Sequence, residues 1–243
     1  MPMGILILVG LALFWTSTTA FGQVAVVGTP TEYKTNPGPY SFSHTTTSDT
    51  AVLVCVGAAY GAAITGMTAD GAAMTAVSGA TGTWDTSGEV EMYIKRSPTV
   101  GTITIAMTSS AAEGSAGCIN FSGADTSSDG NAVQGGASAS GTAAGTSVTA
   151  GGSPGSNDLV VDGLGWWNTG ISSVGADQTS RTGTAYSGSR ASMATSTQAG
   201  SVSPAAMTWT RTAGVGSWVA VAAFVKAAEA TTVPTLGLLG VGK

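Results

Sequence analysis

The stretch Glu89-Val-Glu-Met-Tyr-Ile-Lys95 decides the fold. Val90, Met92 and Ile94 fall on one side of an extended chain, and Glu89, Glu91, Tyr93 and Lys95 fall on the other. That two-residue alternation is what an antiparallel strand with one buried and one wet face requires. Working outward, Ala51-Val-Leu-Val-Cys-Val56 and Trp218-Val-Ala-Val-Ala-Ala-Phe-Val225 are apolar on both faces. They read as central strands, covered on both sides or by a neighbouring subunit.

Short runs of the same kind recur from Gln23 onward, broken by Gly, Ser, Thr and Asp, which is the signature of a sandwich or barrel. Strands are expected near 23–27, 40–44, 51–58, 64–68, 73–77, 89–95, 102–108, 115–122, 146–149, 158–165, 191–195, 205–210 and 217–226. Asp70-Gly71 reads as a two-residue hairpin turn, because both central positions of a type I′ turn need positive φ. The segment 129–146 (DGNAVQGGASASGTAAGT) reads as a long flexible loop between halves of one sandwich; a domain linker is the alternative, set aside because the first half is poor in large apolar residues. No stretch beyond the N-terminus keeps a helical period. The fold class is therefore all-β, an antiparallel β-sandwich over 21–226, with an apolar N-terminal segment before it.

The composition agrees and narrows the function. The chain has 243 residues, of which 43% are apolar and only 9% charged. An average soluble domain carries about 25% charged residues. Gly, Ala, Ser and Thr take the places that Lys, Glu and Arg usually hold, which gives a neutral surface, tight turns and little helix propensity. The net charge is −5 and only eight residues are Lys or Arg. A nucleic-acid binder needs a concentrated basic footprint to release counterions, so no nucleic-acid partner is expected.

Gly4 to Ala20 (GILILVGLALFWTSTTA) is the most apolar segment, and Thr18-Thr-Ala20 ahead of Phe21 has the small residues of a cleavage site. It reads as a secretory signal peptide, meeting the membrane only during export. If it survives, residues 5–15 become a strand or anchor that docks on a neighbouring subunit. At the other end, 227–243 (AAEATTVPTLGLLGVGK) turns apolar again after Pro234. It reads as a frayed tail or as a strand that adds to another subunit.

Cys55 and Cys118 each sit in an apolar strand. They are candidates for one disulfide between neighbouring strands if their Cα atoms lie within ~7 Å. Two buried free thiols are the other reading.

Several of these stretches together resemble a known group. They are Tyr40-Ser-Phe-Ser-His44, Val52-Leu-Val-Cys-Val-Gly57, Ile64-Thr-Gly-Met-Thr-Ala-Asp-Gly-Ala-Ala-Met-Thr75 and Val90-Glu-Met-Tyr-Ile94. Gly101-Thr-Ile-Thr-Ile105, Ala116-Gly-Cys-Ile-Asn-Phe-Ser-Gly-Ala-Asp125, Asp158-Leu-Val-Val161 and Trp218–Lys226 continue the series. In that order, over residues 23–226, they resemble jelly-roll, concanavalin-like β-sandwich modules of bacterial surface proteins and phage structural proteins. The resemblance implies a non-catalytic surface or virion role and carries over no catalytic residues. Larger members often hold the module in tandem; this chain has room for one copy.

The search for chemistry agrees. His44 is the lone histidine, ends an expected strand, and reads as a satisfied surface imidazole; a Ser-His-Asp triad would have to use it. Glu89 and Glu91 lie on one strand face, about 7 Å apart from the rise per residue. Glycosidases use such pairs, but an exposed strand face produces the same spacing. Asp125 and Asp129-Gly-Asn131 read as a turn, because their spacing matches no EF-hand. Two cysteines and one histidine make no four-ligand zinc site without carboxylates at unpatterned spacings. No catalytic residue, metal or cofactor is expected.

Aromatics supply the binding candidates. Trp166 and Trp167 are adjacent, so on a continuing strand they face opposite sides. Trp84 and Tyr186 sit in Gly/Ser/Thr-rich segments that read as loops. Exposed aromatic planes stack on sugar rings, and sandwich loops commonly carry binding sites. Trp209 and Trp218 alternate with apolar neighbours and read as core. The sequence therefore points first to a secreted, cell-surface or virion structural protein that self-associates as a homo-oligomer or filament. The alternative is a secreted glycan-binding module or adhesin using Trp84, Trp166, Trp167 and Tyr186.

Overall fold

A computed structural model describes residues 22–35, 38, 40–84, 87–167, 171–183, 191–202, 205–211 and 216–229. The N-terminal segment 1–20, the tail beyond Glu229 and the candidate Tyr186 lie outside these residues.

Residues 25–122 build a two-layer antiparallel sandwich. Its strands are β1 (Ala25–Thr35), β2 (Ser41–Thr46), β3 (Val52–Tyr60), β4 (Ile64–Ala69), β5 (Ala72–Ala73), β6 (Thr75–Trp84), β7 (Gly88–Arg96), β8 (Gly101–Ser109) and β9 (Glu113–Ser122). A large sheet has the order β1-β9-β3-β7-β6, and a small one the order β2-β8-β4-β5. The chain repeatedly passes from one sheet to the other, an arrangement compatible with a jelly roll. Asp70 (φ 49°) and Gly71 (φ 75°) form the β4–β5 hairpin expected from their sequence, with Ala69 opposite Ala72.

A single helical turn, α1 (Asp129–Ala132), follows, with the Ser128 hydroxyl accepting from the Asn131 N–H at its N-terminus. Then come β10 (Val133–Gly141), β11 (Gly145–Thr149), β12 (Leu159–Trp166), β13 (Ile171–Val174), β14 (Gln178–Thr182), β15 (Ser192–Ala199), β16 (Ala206–Arg211) and β17 (Trp218–Val225). Their sheets have the orders β10-β17-β12-β15-β14 and β11-β16-β13. Placed side by side, the two sets of orders are the same permutation, with β10 standing for β1, β12 for β3, β15 for β7 and β17 for β9. Only the two-residue β5 lacks a counterpart. The strand pattern thus occurs twice, where the sequence reading allotted it once.

Register supports the repetition. Phe121 of β9 lies opposite Val26 and Val52, and Val225 of β17 lies opposite Val133 and Leu159. Both opening strands then bulge, at Gly28 (φ 68°) and at Gly135 (φ 66°). A left-handed glycine at a bulge lets one strand take an extra residue without a Cβ clash. The chain leaving β9 meets the chain leaving β17 in an isolated antiparallel bridge, Ala124 to Ala227. It is flanked by Asp125 N–H to Lys226 O (2.8 Å) and Ala228 N–H to Gly123 O (2.9 Å).

The two sandwiches stack through their large sheets, giving four layers and three cores. Val54, Val56, Val90, Met92, Ile119 and Phe121 of one large sheet meet Val161, Met193, Val219, Val221 and Val225 of the other. Leu53, Cys55, Tyr93 and Cys118 face the first small sheet, where Phe42, Met67, Ile105 and Met107 cover them. Val160, Leu164, Trp166, Trp218 and Phe224 face the second small sheet with Met207 and Trp209. β3 and β17 are apolar on both faces because each is an inner strand of a sheet that is covered on both sides.

Three expectations fail for physical reasons. Residues 129–146 are α1, β10 and the start of β11; β10 is an edge strand of Ala, Ser and Gly whose ladder partner β17 supplies the apolar side chains. The second face of 89–95 is not a wet one: Tyr93 is buried and Glu89 and Glu91 are half-buried, because β4 and the β3–β4 turn roof that face. His44 is not at the surface. It is 1% exposed and lies between β1 and β9.

Candidate functional site

One end of the stack gathers most of the aromatic side chains singled out from sequence. There β3 ends at Tyr60, β6 ends at Trp84 and β12 ends at Trp166, beside the start of β17 at Trp218. Trp166 lies opposite Trp218 in the ladder, and both are buried. Trp84 is buried as well, which overturns its placement in an exposed loop. Its ring fills the space beside Gly88 and Gly165, so the glycines around it serve ring packing and not a turn. Trp167 follows the alternation expected of adjacent tryptophans: with Trp166 inside, it is half-exposed. Its ring lies 5.7 Å from that of Tyr60 at an interplanar angle of 45°.

A cleft of about 260 Å³ at the same end is lined by Gly61, Ala62, Ala63, Thr83, Ser87, Gly88 and Glu89. The Gly61 N–H donates to Ser87 O at 2.7 Å, and the Ile64 N–H donates to Glu89 Oε2 at 2.7 Å. Glu89 therefore ties the β3–β4 turn to β7. Burial raises its carboxyl pKa, the Ile64 N–H works in the opposite direction, and neighbouring Glu91 raises it further. Glu91 accepts from the Thr81 hydroxyl at 3.2 Å and from the Tyr93 hydroxyl. Burial, and then the acceptor Glu91, push the Tyr93 phenol well above its ordinary value. The two acids expected to share a face do so, as a half-buried ladder engaged with β4 and β6.

Away from this end, the remaining candidates are structural in their contacts. His44 Nε2 lies 2.9 Å from Asn120 Oδ1, and Nδ1 lies 3.0 Å from Thr31 Oγ1. Asn120 uses its amide nitrogen on Thr45 O at 2.8 Å, which fixes Oδ1 as the atom facing the ring. The imidazole therefore donates from Nε2 and accepts at Nδ1. Burial lowers its pKa, and the bond to Asn120 only partly opposes this.

Cys55 and Cys118 are directly opposite each other in the β3–β9 ladder, with Cα atoms 4.1 Å apart, and they form a disulfide. Asp129 is engaged by Arg96 and by the Thr75 hydroxyl, which together hold its carboxyl below the usual range, the Thr75 bond most strongly. Asp125 accepts from the Ser127 N–H at 2.7 Å as a turn residue does. Among the described residues no group of three or more His, Cys, Asp or Glu side chains is placed to hold a metal ion.

The sequence reading missed the buried acid of the second sandwich. Asp162 sits on β12 at 0% exposure. Its Oδ1 accepts from the Ser196 N–H and hydroxyl, both at 2.7 Å, and Oδ2 accepts from Trp209 Nε1 at 2.6 Å. Burial raises its pKa to about 7 against the pull of those three donors. The one available signal was a lone acid inside the apolar run 159–166. No family model, no curated protein and no solved structure matches the chain.

Proposed function

We propose that this chain is a non-catalytic structural protein of an extracellular or virion-surface assembly, a module akin to the concanavalin-like sandwiches of bacterial surface and phage structural proteins. It joins subunits through sheet edges and terminal segments. The observation that carries this reading is where apolar surface lies. Among the described residues the only large hydrophobic side chain left exposed is Val100. The sequence nevertheless keeps apolar runs at 4–20 and 236–241. A finished body with apolar extensions suits joining by exchanged segments and edge pairing. The disulfide supports an oxidising compartment, such as the cell exterior.

Light scattering after size-exclusion chromatography, followed by negative-stain microscopy, tests the proposal on full-length protein. Oligomers or filaments are expected, and they should dissociate in the Leu236→Lys/Leu238→Lys double variant. A stable monomer with both ends intact overturns the proposal.

A second reading, a glycan-binding module, is favoured by the half-exposed Trp167 beside Tyr60 at the aromatic end of the stack. Trp167→Ala should then weaken glycan binding about 10-fold, the value of a ~1.4 kcal/mol stacking contact. A glycan array on which the wild-type protein gives no signal removes this reading.

A further inference from the structure

We propose that Asp162 is an acid-tightened latch between the two sheets of the second sandwich, holding the small sheet β11-β16-β13 more firmly at pH 5 than at pH 7. The geometry is that of a clamp. Asp162 projects from β12 of the large sheet. One oxygen is held by Ser196 on the neighbouring β15, and the other reaches across the core to the indole N–H of Trp209 on β16. A relay leads outward from it. The Ser196 hydroxyl accepts from Gln178 Nε2 at 2.8 Å, and Gln178 Oε1 accepts from the Thr208 N–H at 2.7 Å. Gln178 is half-buried, so the path ends near solvent.

Among the described residues no cation pairs with the carboxylate. Arg211, two positions beyond Trp209 on β16, directs its guanidinium to the carbonyls of Gly216, Thr142 and Ala143. Arg181 on β14 donates to Thr197, on the opposite face of β15 from Ser196. Asp158, on the same face of the chain entering β12, accepts from Gly155 and Ala227 N–H groups. From β17 the facing residue is Ala222, and from β11 the side chain in this core is Val148.

An ionised carboxylate enclosed this way is penalised by burial, and opening the small sheet lets water reach it. The closed form holds its proton up to about pH 7, whereas an exposed aspartate loses it near pH 4. Closure is therefore fully favoured below pH 4, weakens as pH rises, and levels off above pH 7.

Hydrogen–deuterium exchange on the full chain between pH 5 and 8.5, corrected for intrinsic exchange, reads this directly. Protection of 145–149 and 206–211 should fall about tenfold per pH unit up to pH 7 and then stay flat. In Asp162→Asn the same strands should show no pH dependence. Should that variant fail to fold, Ser196→Ala removes one donor to the charged form and should move the plateau to higher pH. The β2 strand serves as an internal control, because the depressed pKa of His44 gives a slope of the opposite sign, with protection lost below pH 6.5. Protection of 206–211 that is independent of pH in the wild type, or an unshifted plateau in Ser196→Ala, overturns the latch.

Discussion

Gly163→Val should be among the most damaging single substitutions, lowering stability by at least about 3 kcal/mol. Gly163 is on the central-core face of β12, where the two large sheets touch. A Cβ built there would lie 2.4 Å from Val56 Cγ1 and 2.9 Å from Val56 Cγ2. Valine is stiff at χ1, so Val56 cannot swing aside as a long side chain would. The clash must then be relieved by separating the sheets, which costs packing along the whole central core. Gly163→Ala should lose roughly 1–3 kcal/mol by the same route. Gly66 provides the control, since nothing lies within 4 Å of its added Cβ and its φ is not in the left-handed region. Gly66→Ala should change stability by less than about 0.5 kcal/mol. Equilibrium urea unfolding, read as midpoint shifts at constant slope, checks all three. Equal midpoints for the Gly66 and Gly163 variants would show that the large sheets do not meet there.

The Cys55→Ala/Cys118→Ala double variant should lose about 4 kcal/mol. The bond closes a loop with a sequence separation of 63, for which the chain-entropy relation gives about that value. Both cysteines are fully buried in the core between the first large and small sheets, so the folded protein should also resist reductant that reaches it only from solvent. Denaturant midpoints for native protein, for the double variant, and for protein reduced while unfolded measure the effect. The last two should coincide within about 1 kcal/mol. A double variant as stable as native protein would mean that β3 and β9 are held by packing alone. The second sandwich offers a natural comparison: in the equivalent ladder cell it has Asp162 opposite Ala222. One unit is cross-linked along its large sheet, and the other is bridged across its core by a buried acid.

Much of this architecture could be read from the residues. Alternation located β7 and β8, and double-sided apolarity located β3 and β17 as inner strands. The Asp70-Gly71 turn followed from its φ requirement. What could not be read has a common cause, namely that small or polar side chains were buried by neighbours distant in sequence. β15 is polar at Ser192, Thr195, Ser196, Thr197 and Gln198, yet all five are buried; Asp162 and Gln178 supply hydrogen-bond partners to Ser196, Thr182 to Thr195 and Arg181 to Thr197. β10 carries Ala and Ser where a self-sufficient strand would carry Val and Ile. Trp84 was misplaced because glycines needed for close packing of its ring were read as turn residues. The duplication was invisible for a related reason. Equivalent positions such as Cys55 and Asp162 carry unlike side chains with unlike chemistry, so sequence comparison of the halves has little to match. At the aromatic end, the opposed directions of Trp166 and Trp167 were legible, whereas the partner Tyr60 and the cleft required the β3–β4 turn to be placed.

The antiparallel bridge between Ala124 and Ala227 also gives the molecule a polarity. The described chain begins at Gly22, whose added Cβ would lie 3.5 Å from Gly123 O, and it leaves through Ala228, which bonds that same oxygen. Entry and exit thus share one pole. The Trp167–Tyr60 rim occupies the other pole, a nine-residue strand away along β3, or about 30 Å. A body tethered through either extension would point its aromatic rim away from the anchorage, as a stalked head faces outward from the wall that carries it.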